Sequence, residues 1–294
     1  MIEEFTVELR TQREWNWLIM IAFFLGGISG GLFLLSTYLE FSLGRTAALV
    51  VVTFGTCTAL YFDLGRPERA LRLFSQVGSS WISRGTLLIT LFIVFGVLSV
   101  LPSFGWFTWL PWSAAAGLGQ AILAIALVSA FGVMIYTGFV MSYSPAIPFW
   151  NTTLLPIIFV FYAFMGGAAA IFSMIWATPE AERISQVLGP IEILFILSTI
   201  VLLFSYLATM FYSTVAARES VRMLIAGRFA WPFWGGVIIV GLVIPLALTV
   251  YTRFSVTAIP ATAIILALVG VLELFGGFVF RYSLLRAGVY VQLI

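Results

Sequence analysis

Apolar residues fill most of the chain in long blocks, and short segments with charges, prolines or glycines separate one block from the next. A helix needs about 20 apolar residues to cross the hydrocarbon core of a bilayer. The stretch 86–178 carries no charge, and prolines interrupt its apolar run twice, so three spans fit within it. The pattern predicts eight membrane-spanning helices, near residues 15–39, 46–63, 86–104, 117–141, 152–176, 190–213, 233–251 and 260–281.

The composition agrees with this pattern. Of the 294 residues, 62% are hydrophobic and 9% are charged, and the mean hydropathy is +1.12. A soluble domain carries about 45–50% apolar and about 25% charged residues, so the class of soluble globular proteins is excluded. The expected fold class is an all-α integral membrane protein that crosses the bilayer several times.

Two similar segments suggest an internal repeat. Span one contains FFLGGISGG (Phe23–Gly31), and span five contains AFMGGAAA (Ala163–Ala170), 140 residues later. Small residues in such runs let membrane helices approach closely. We predict two four-helix bundles related by internal duplication; the alternative is that Gly/Ala runs are simply common in membrane helices. The expected divisions are an N-terminal segment 1–14, a first unit 15–141, a linker 142–151 and a second unit 152–294.

Arginine supplies all 14 positive charges, and its distribution predicts an orientation. Eight spans put both ends of the chain on one side, which we call the terminal side; the other is the opposite side. Only Arg45, Arg183 and Arg253 fall on the opposite side. The positive-inside rule then makes the terminal side cytoplasmic, in a multi-pass protein of the cell (inner) membrane. The eleven terminal-side residues are Arg10, Arg13, Arg66, Arg69, Arg72, Arg84, Arg218, Arg222, Arg228, Arg281 and Arg286.

Residue types that are missing restrict the chemistry. The chain has no His and a single Cys, Cys57, which lies in an apolar run. Haem b needs axial His, iron–sulfur clusters need several Cys, and zinc sites draw on Cys, His and carboxylates. We therefore expect no haem and no metal in this chain. Because the N-terminal segment mixes Glu and Arg ahead of the first span, we also expect no cleaved signal.

Polar residues gather at the terminal-side end of span two, in YFDLGRPERALRLF (Tyr61–Phe74), which includes Asp63 and Arg66. Pro67 suits the first turn of a short interfacial helix. Trp81 and Arg84 follow at the start of span three. One interpretation is an interfacial elbow with a structural Asp63–Arg pair. The other is a polar rim that holds a cofactor headgroup or docks a subunit, with Arg66, Trp81 and Arg84 as binding residues.

Two further polar groups fall near the same depth. Asn16 opens span one on the terminal side, and Tyr136 lies in span four, about 7–8 Å below that interface at 1.5 Å per residue. Taken separately, Asn16 is typical of a helix cap, Tyr136 of the membrane interface and Asp63 of a hinge. Because the three agree in depth, we predict that Asn16, Asp63 and Tyr136 line one pocket between spans one, two and four.

Glu273 falls near the middle of span eight, where an ionised carboxylate is costly. We interpret it as neutral, paired or part of a proton route; the alternative is a polar contact that holds helices together. Glu192, at the predicted start of span six on the opposite side, is expected to face water.

Several segments resemble one known family. They are GGISGGLFLLS in span one, DLGRPERALRLF after span two, SWISRG before span three, Tyr136–Ala170 and the closing RYSLLRAGVY. Together they resemble the NrfD/PsrC family of membrane subunits over nearly the whole chain. The resemblance implies eight helices in two four-helix units, a bound quinone, and an iron–sulfur partner subunit that is attached to a molybdopterin enzyme.

The resemblance also implies a quinone site. The family's Asn at the start of span one and its Tyr in span four match Asn16 and Tyr136. A polar partner, histidine in the polysulfide reductase subunit, falls at Met20, which is a poor hydrogen-bonding group. Asp63 is the candidate to take over that role.

These residues lead to a functional hypothesis. The protein would exchange two electrons and two protons between membrane quinone, expected to be menaquinone of anaerobic respiration, and the partner's iron–sulfur cluster. Tyr136 and Asn16 would hold the carbonyls, and Asp63 would relay protons. Arg66 and Arg84 would stabilise negative charge developing on the quinone oxygens. The alternatives are a secondary transporter built around Glu273, or a non-catalytic membrane anchor.

Overall fold

The computed structural model describes residues 10–65, 73–107, 109–112, 117–176, 178–254 and 259–291, and within these the regular secondary structure consists of helices and one isolated β-bridge. Eight of the described helices are long and apolar enough to cross a membrane, which confirms the predicted number. The predicted interfacial helix at Pro67 lies outside the described residues. The eight spans are Trp17–Tyr38, Ser42–Asp63, Trp81–Ser103, Gly117–Ser142, Leu154–Ile175, Ala181–Phe211, Pro232–Phe254 and Ile259–Arg286.

Span six departs most from its predicted start; spans two and three also begin earlier than predicted, at Ser42 and Trp81. It begins at Ala181 rather than near residue 190, and Pro190 lies inside the helix. The first two turns carry several polar residues, and the Gly189–Pro190 pair resembles a helix start, so this segment reads as a loop. Because span six begins earlier, Glu192 lies eleven residues into the helix, and it is 0% exposed. The expectation that Glu192 faces water is therefore wrong.

Spans one and five run in the same direction and touch backbone to backbone. A side chain at Gly31 would overlap the carbonyl of Ala163, and one at Gly167 would overlap the backbone of Gly31. The two similar segments found in the sequence thus form the largest contact between the first four spans and the last four, to which the packing of span four on span five adds. The predicted close approach is confirmed, whereas the internal duplication stays a prediction.

Both ends of the chain are tied together on the terminal side. Thr11 pairs with Val289 in an antiparallel bridge, and the Tyr290 N–H donates to the Arg10 carbonyl at 2.9 Å. The predicted linker 142–151 joins this arrangement, because the Val291 N–H donates to the Ala146 carbonyl at 3.0 Å. Trp150 of the same segment is fully buried. The linker is therefore packed into the protein, and the two ends share one face of the membrane domain.

One short helix, Val215–Ile225, was not predicted. It lies in the connection between spans six and seven, on the terminal side, and Thr214 caps it by accepting from the Ala217 N–H at 3.2 Å. Its apolar face is buried against the protein, while Glu219 and Arg222 are exposed. Eleven residues with mixed polarity are too short and too charged for a span, so they did not stand out in the hydropathy pattern.

Candidate functional site

Spans one and two meet through a direct hydrogen bond on the terminal side. Asn16 is the N-cap of span one, where its side-chain oxygen accepts from the Leu18 N–H at 2.7 Å and the Ile19 N–H at 3.3 Å. Its amide nitrogen donates to Asp63 Oδ1 at 2.6 Å. The structure thus brings together two of the three residues predicted to line one pocket.

The Asn16–Asp63 pair keeps hydrogen-bonding groups that the protein itself does not use. Of the two amide N–H groups of Asn16, one is directed to Asp63, which leaves a second donor. Asp63 keeps one carboxylate oxygen beyond the Asn16 bond, and both side chains are half-buried. A hydrogen bond to an ionised carboxylate is short and roughly twice as strong as a neutral one, so Asn16 fixes how Asp63 is oriented.

Tyr136 lies deeper than this pair. Its ring packs edge-on against Phe23, with centroids 6.2 Å apart, and occupies the space that a side chain at Gly85 would need. Phe23 is seven residues beyond Asn16 on span one, so Tyr136 sits about 10 Å below the pair at 1.5 Å per residue. The three residues therefore form a column rather than a ring at one depth.

Met20 lies between the two levels of this column. It is one helical turn beyond Asn16, 5% exposed, and part of the apolar core that includes Phe23 and Met141. A thioether is at best a weak acceptor. The position at which the sequence resemblance leads us to expect a polar partner is thus apolar in this protein, and polar contacts here must come from the residues above and below it.

Trp81 and Arg84 form a separate group at the start of span three. The Arg84 guanidinium lies over the Trp81 ring at 4.5 Å and donates to the carbonyls of Val77 at 2.9 Å and Gly78 at 2.7 Å. Trp81 in turn stacks on Phe139 of span four, with centroids 4.4 Å apart. Arg84 therefore stabilises the turn at Val77 and Gly78 that precedes span three. The next residue, Gly85, contacts Tyr136. Arg66 lies outside the described residues.

Comparison with known proteins assigns the protein to a family. The family model described as "Polysulphide reductase, NrfD" matches residues 7–292. The chain belongs to the NrfD family. Protein NrfD of Escherichia coli (strain K12) is 30% identical over 93% of this chain and 94% of its own length. The C subunit of polysulfide reductase from Wolinella succinogenes is 26% identical and the Protein NrfD homolog of Haemophilus influenzae 23%, with the same coverage.

Sequence reasoning missed one feature of this NrfD-family protein. Glu273 of span eight lies against Glu192 of span six, and the two carboxyl groups are within hydrogen-bonding reach of each other. Glu192 is 0% and Glu273 3% exposed. The sequence pattern hid Glu192 as the neighbour of Glu273, because span six begins nine residues earlier than expected.

Arg281 also differs from its expected setting. The sequence places it among the terminal-side arginines, but it is 2% exposed, inside the protein, with its guanidinium carbon 5.1 Å from the Phe159 ring centre and 5.6 Å from that of Phe24. Two of its nitrogens, and the hydroxyl of nearby Tyr162, have no hydrogen-bond partner among the described residues. Without Arg281, ten arginines of this NrfD-family protein lie on the terminal side and three on the opposite side.

Proposed function

We propose that this protein is the quinone-binding membrane subunit of a respiratory oxidoreductase complex. It would exchange two electrons and two protons between membrane quinone, in particular menaquinone, and an iron–sulfur partner subunit that serves a molybdopterin enzyme. The observation that carries the proposal is the Asn16–Asp63 pair, joined at 2.6 Å on the terminal side above the buried Tyr136. Membership of the NrfD family supports it.

The residues fit a quinone by the chemistry of their free groups. A quinone carbonyl needs a donor, and a quinol hydroxyl needs an acceptor. Asn16 offers a second N–H, Asp63 a second carboxylate oxygen, and Tyr136 a hydroxyl that can donate or accept. The rest of the column, with Phe23 and Met20, is apolar, as a site for a hydrophobic ring requires.

Asp63 is placed to handle the protons. Oxidation of a quinol to a quinone releases two protons and two electrons, and reduction takes up the same number. The Asp63 carboxylate is half-buried at the terminal-side end of span two, so it can accept a proton from the site and return it to water. Asn16 holds that carboxylate in one orientation.

The electrons need a partner of a different chemical kind. The chain has no His and a single Cys, so it has no ligand set for haem or an iron–sulfur cluster of its own. The electrons must therefore leave for, or arrive from, a metal cluster in another subunit that docks on the terminal side, where the pair lies. The charge bias of ten arginines to three supports a cytoplasmic terminal side.

The secondary transporter has one observation in its favour, which is the buried Glu192–Glu273 pair. Membership of the NrfD family favours the quinone subunit over both the transporter and the bare anchor. The two alternatives become outcomes of the test below, because a bare anchor binds no quinone and a transporter does not depend on Tyr136.

The test compares two tyrosines of the purified complex in lipid nanodiscs. Quinone affinity is measured by quenching of tryptophan fluorescence, for which Trp15 and Trp17 flank Asn16. Loss of the buried Tyr136 hydroxyl in Tyr136→Phe should weaken binding by about 1–3 kcal/mol, or about 5–150-fold. Tyr143→Phe is the matched control, since Tyr143 follows span four and is 68% exposed. Equal affinities for all three proteins would refute the site.

Orientation is tested separately. A reporter fused after Ile294 should be active as a cytoplasmic reporter and inactive as alkaline phosphatase, which works only outside the cytoplasm. Active alkaline phosphatase at this position would reverse the topology and put the docking partner outside. Mass spectrometry of the subunits that co-purify with the protein should identify an iron–sulfur protein.

A further inference from the structure

A water-accessible cavity opens on the opposite side, among the last three spans. Its volume is about 230 Å³, which is room for several water molecules. Span six contributes Ser185 and Gly189, span seven Thr249, and span eight Thr262 and Leu266. The entrance is polar, with Glu182 and Arg253 among the lining residues. This cavity lies across the membrane domain from Asn16 and Asp63.

Two helical stripes lead from the cavity to the buried carboxyl pair. On span six, Ser185, Gly189 and Glu192 follow at four- and three-residue spacing, which keeps them on one face. On span eight, Leu266 and Glu273 are seven residues apart and share a face in the same way. At 1.5 Å per residue, Glu192 lies only about 4–5 Å further along its helix than Gly189, which lines the cavity.

Unpaired polar groups extend beyond the cavity. None of the four carboxyl oxygens of Glu192 and Glu273 has a donor among the described residues, so the pair can form a hydrogen bond only if one carboxyl carries a proton. The hydroxyl of Thr249, which is 1% exposed and lines the cavity, is also without a partner in the described part of the protein. These groups therefore keep hydrogen-bonding capacity that a water molecule or a bound proton can satisfy.

Arg281 lies between the carboxyl pair and the terminal side. It lies eight residues beyond Glu273 on span eight, which is about 12 Å nearer the terminal side. A buried guanidinium with unpaired nitrogens is a fixed positive charge, and such a charge repels protons as it does in selective pores. The other ionisable groups on the helices packed around the pair are Tyr162, Tyr206, Glu182, Arg183, Tyr251, Arg253, Tyr282 and Arg286.

We infer that Glu192 and Glu273 form a proton-binding site that exchanges its proton with water on the opposite side of the membrane. One proton, shared between two carboxyl oxygens, satisfies both groups. A metal cation would need several more oxygen ligands than the pair supplies. The proton moves between a carboxyl oxygen and water, and no electron is transferred. This inference does not rest on the quinone proposal, because the site and its access lie among different residues.

The first experiment detects the shared proton by infrared spectroscopy of the purified complex in nanodiscs. A protonated carboxyl has its own carbonyl stretching band, and we expect one in the wild type that the double variant Glu192→Gln/Glu273→Gln lacks. Glutamine keeps the shape of glutamate, so the fold is retained. No band in the wild type, or a band that survives in the double variant, would overturn the inference. Loss of the band on adding sodium would also overturn it, in favour of a metal cation.

The second experiment locates the access route. Gly189→Leu places a side chain in open space within the cavity, because no atom lies within 4 Å of the position a Cβ would take. After transfer to D₂O, the carboxyl band of this variant should shift about tenfold more slowly than that of the wild type. The leucine side chain displaces water from the cavity, and loss of one hydrogen bond along the path raises the barrier to proton exchange by about that factor. The matched control is Val187→Leu, on the same helix but at a 39% exposed position outside the cavity. Equal exchange rates in all three proteins would overturn the opposite-side route.

Discussion

The two acidic sites of this membrane domain are built in opposite ways. Asp63 is half-buried beside a fixed donor, because Asn16 holds it at 2.6 Å. Glu192 and Glu273 are buried, receive no hydrogen bond from another described residue, and have each other as partner. The first site has a donor directed at its carboxyl group and still has groups free for a ligand. The second is satisfied only when it holds a proton, so it is suited to storing one.

The largest effect is expected from removing the acid at the first site. Asp63→Asn keeps the shape but removes the proton acceptor, and quinol-linked turnover of the complex should fall by about 10²- to 10⁴-fold. Glu219→Gln is the control, because Glu219 is a 40% exposed acid on the same side. Turnover is measured at equal amounts of assembled complex. Wild-type turnover in Asp63→Asn would show that the difference between the two acidic sites has no bearing on quinone chemistry.

The next effect concerns stability and should appear at the second site. Glu192→Ala removes one carboxyl and leaves Glu273 buried without a partner, so the free energy of unfolding should fall by about 2–4 kcal/mol. Glu182→Ala, at the exposed cavity entrance of the same helix, should change it by less than about 0.5 kcal/mol. Unfolding in detergent mixtures measures both variants. A double variant with Glu273→Ala should lose less than the sum of the two single losses; full additivity would mean that the carboxyls do not interact.

A smaller effect separates the two tasks of Asn16. Asn16→Ala should lower the free energy of unfolding by about 1 kcal/mol, because the N-cap of span one is lost. Asn16→Ser restores a capping oxygen but cannot reproduce the amide donor to Asp63. It should therefore recover stability while its quinol-linked turnover stays below that of the wild type. Full recovery of both would mean that Asn16 acts only as a cap.

The smallest effect is expected at Arg84. Its guanidinium already donates to two backbone carbonyls and lies over Trp81, so little of it is left for a ligand. Arg84→Gln should change quinone affinity less than about threefold, which is below about 0.7 kcal/mol. The fluorescence assay used for Tyr136 measures it. A loss as large as that of Tyr136→Phe would extend the binding site to span three.

The sequence made the spans and part of the first site predictable, for physical reasons. A run of apolar residues reports membrane insertion directly, and a polar residue has a depth that counting residues along a helix reveals. Asn16 and Asp63 could thus be matched by depth. Neither signal says which faces of two helices meet, so the contact of Glu192 with Glu273 and the interior position of Arg281 could not be read from the sequence. Pro190 also concealed the setting of Glu192, because a proline is typical of a helix start and this one lies inside span six.

The tie between the two ends of the protein has a consequence for biogenesis. Residues 10–12 are made before all eight spans, yet their hydrogen-bonding partners at 285–290 are made at or after the end of the eighth. The N-terminal segment must wait, without these bonds, until all eight spans have been inserted. The surface that both ends build together therefore exists only on a finished molecule. A subunit that docks there would recognise completed molecules and ignore truncated ones, so assembly of the complex would carry its own quality check.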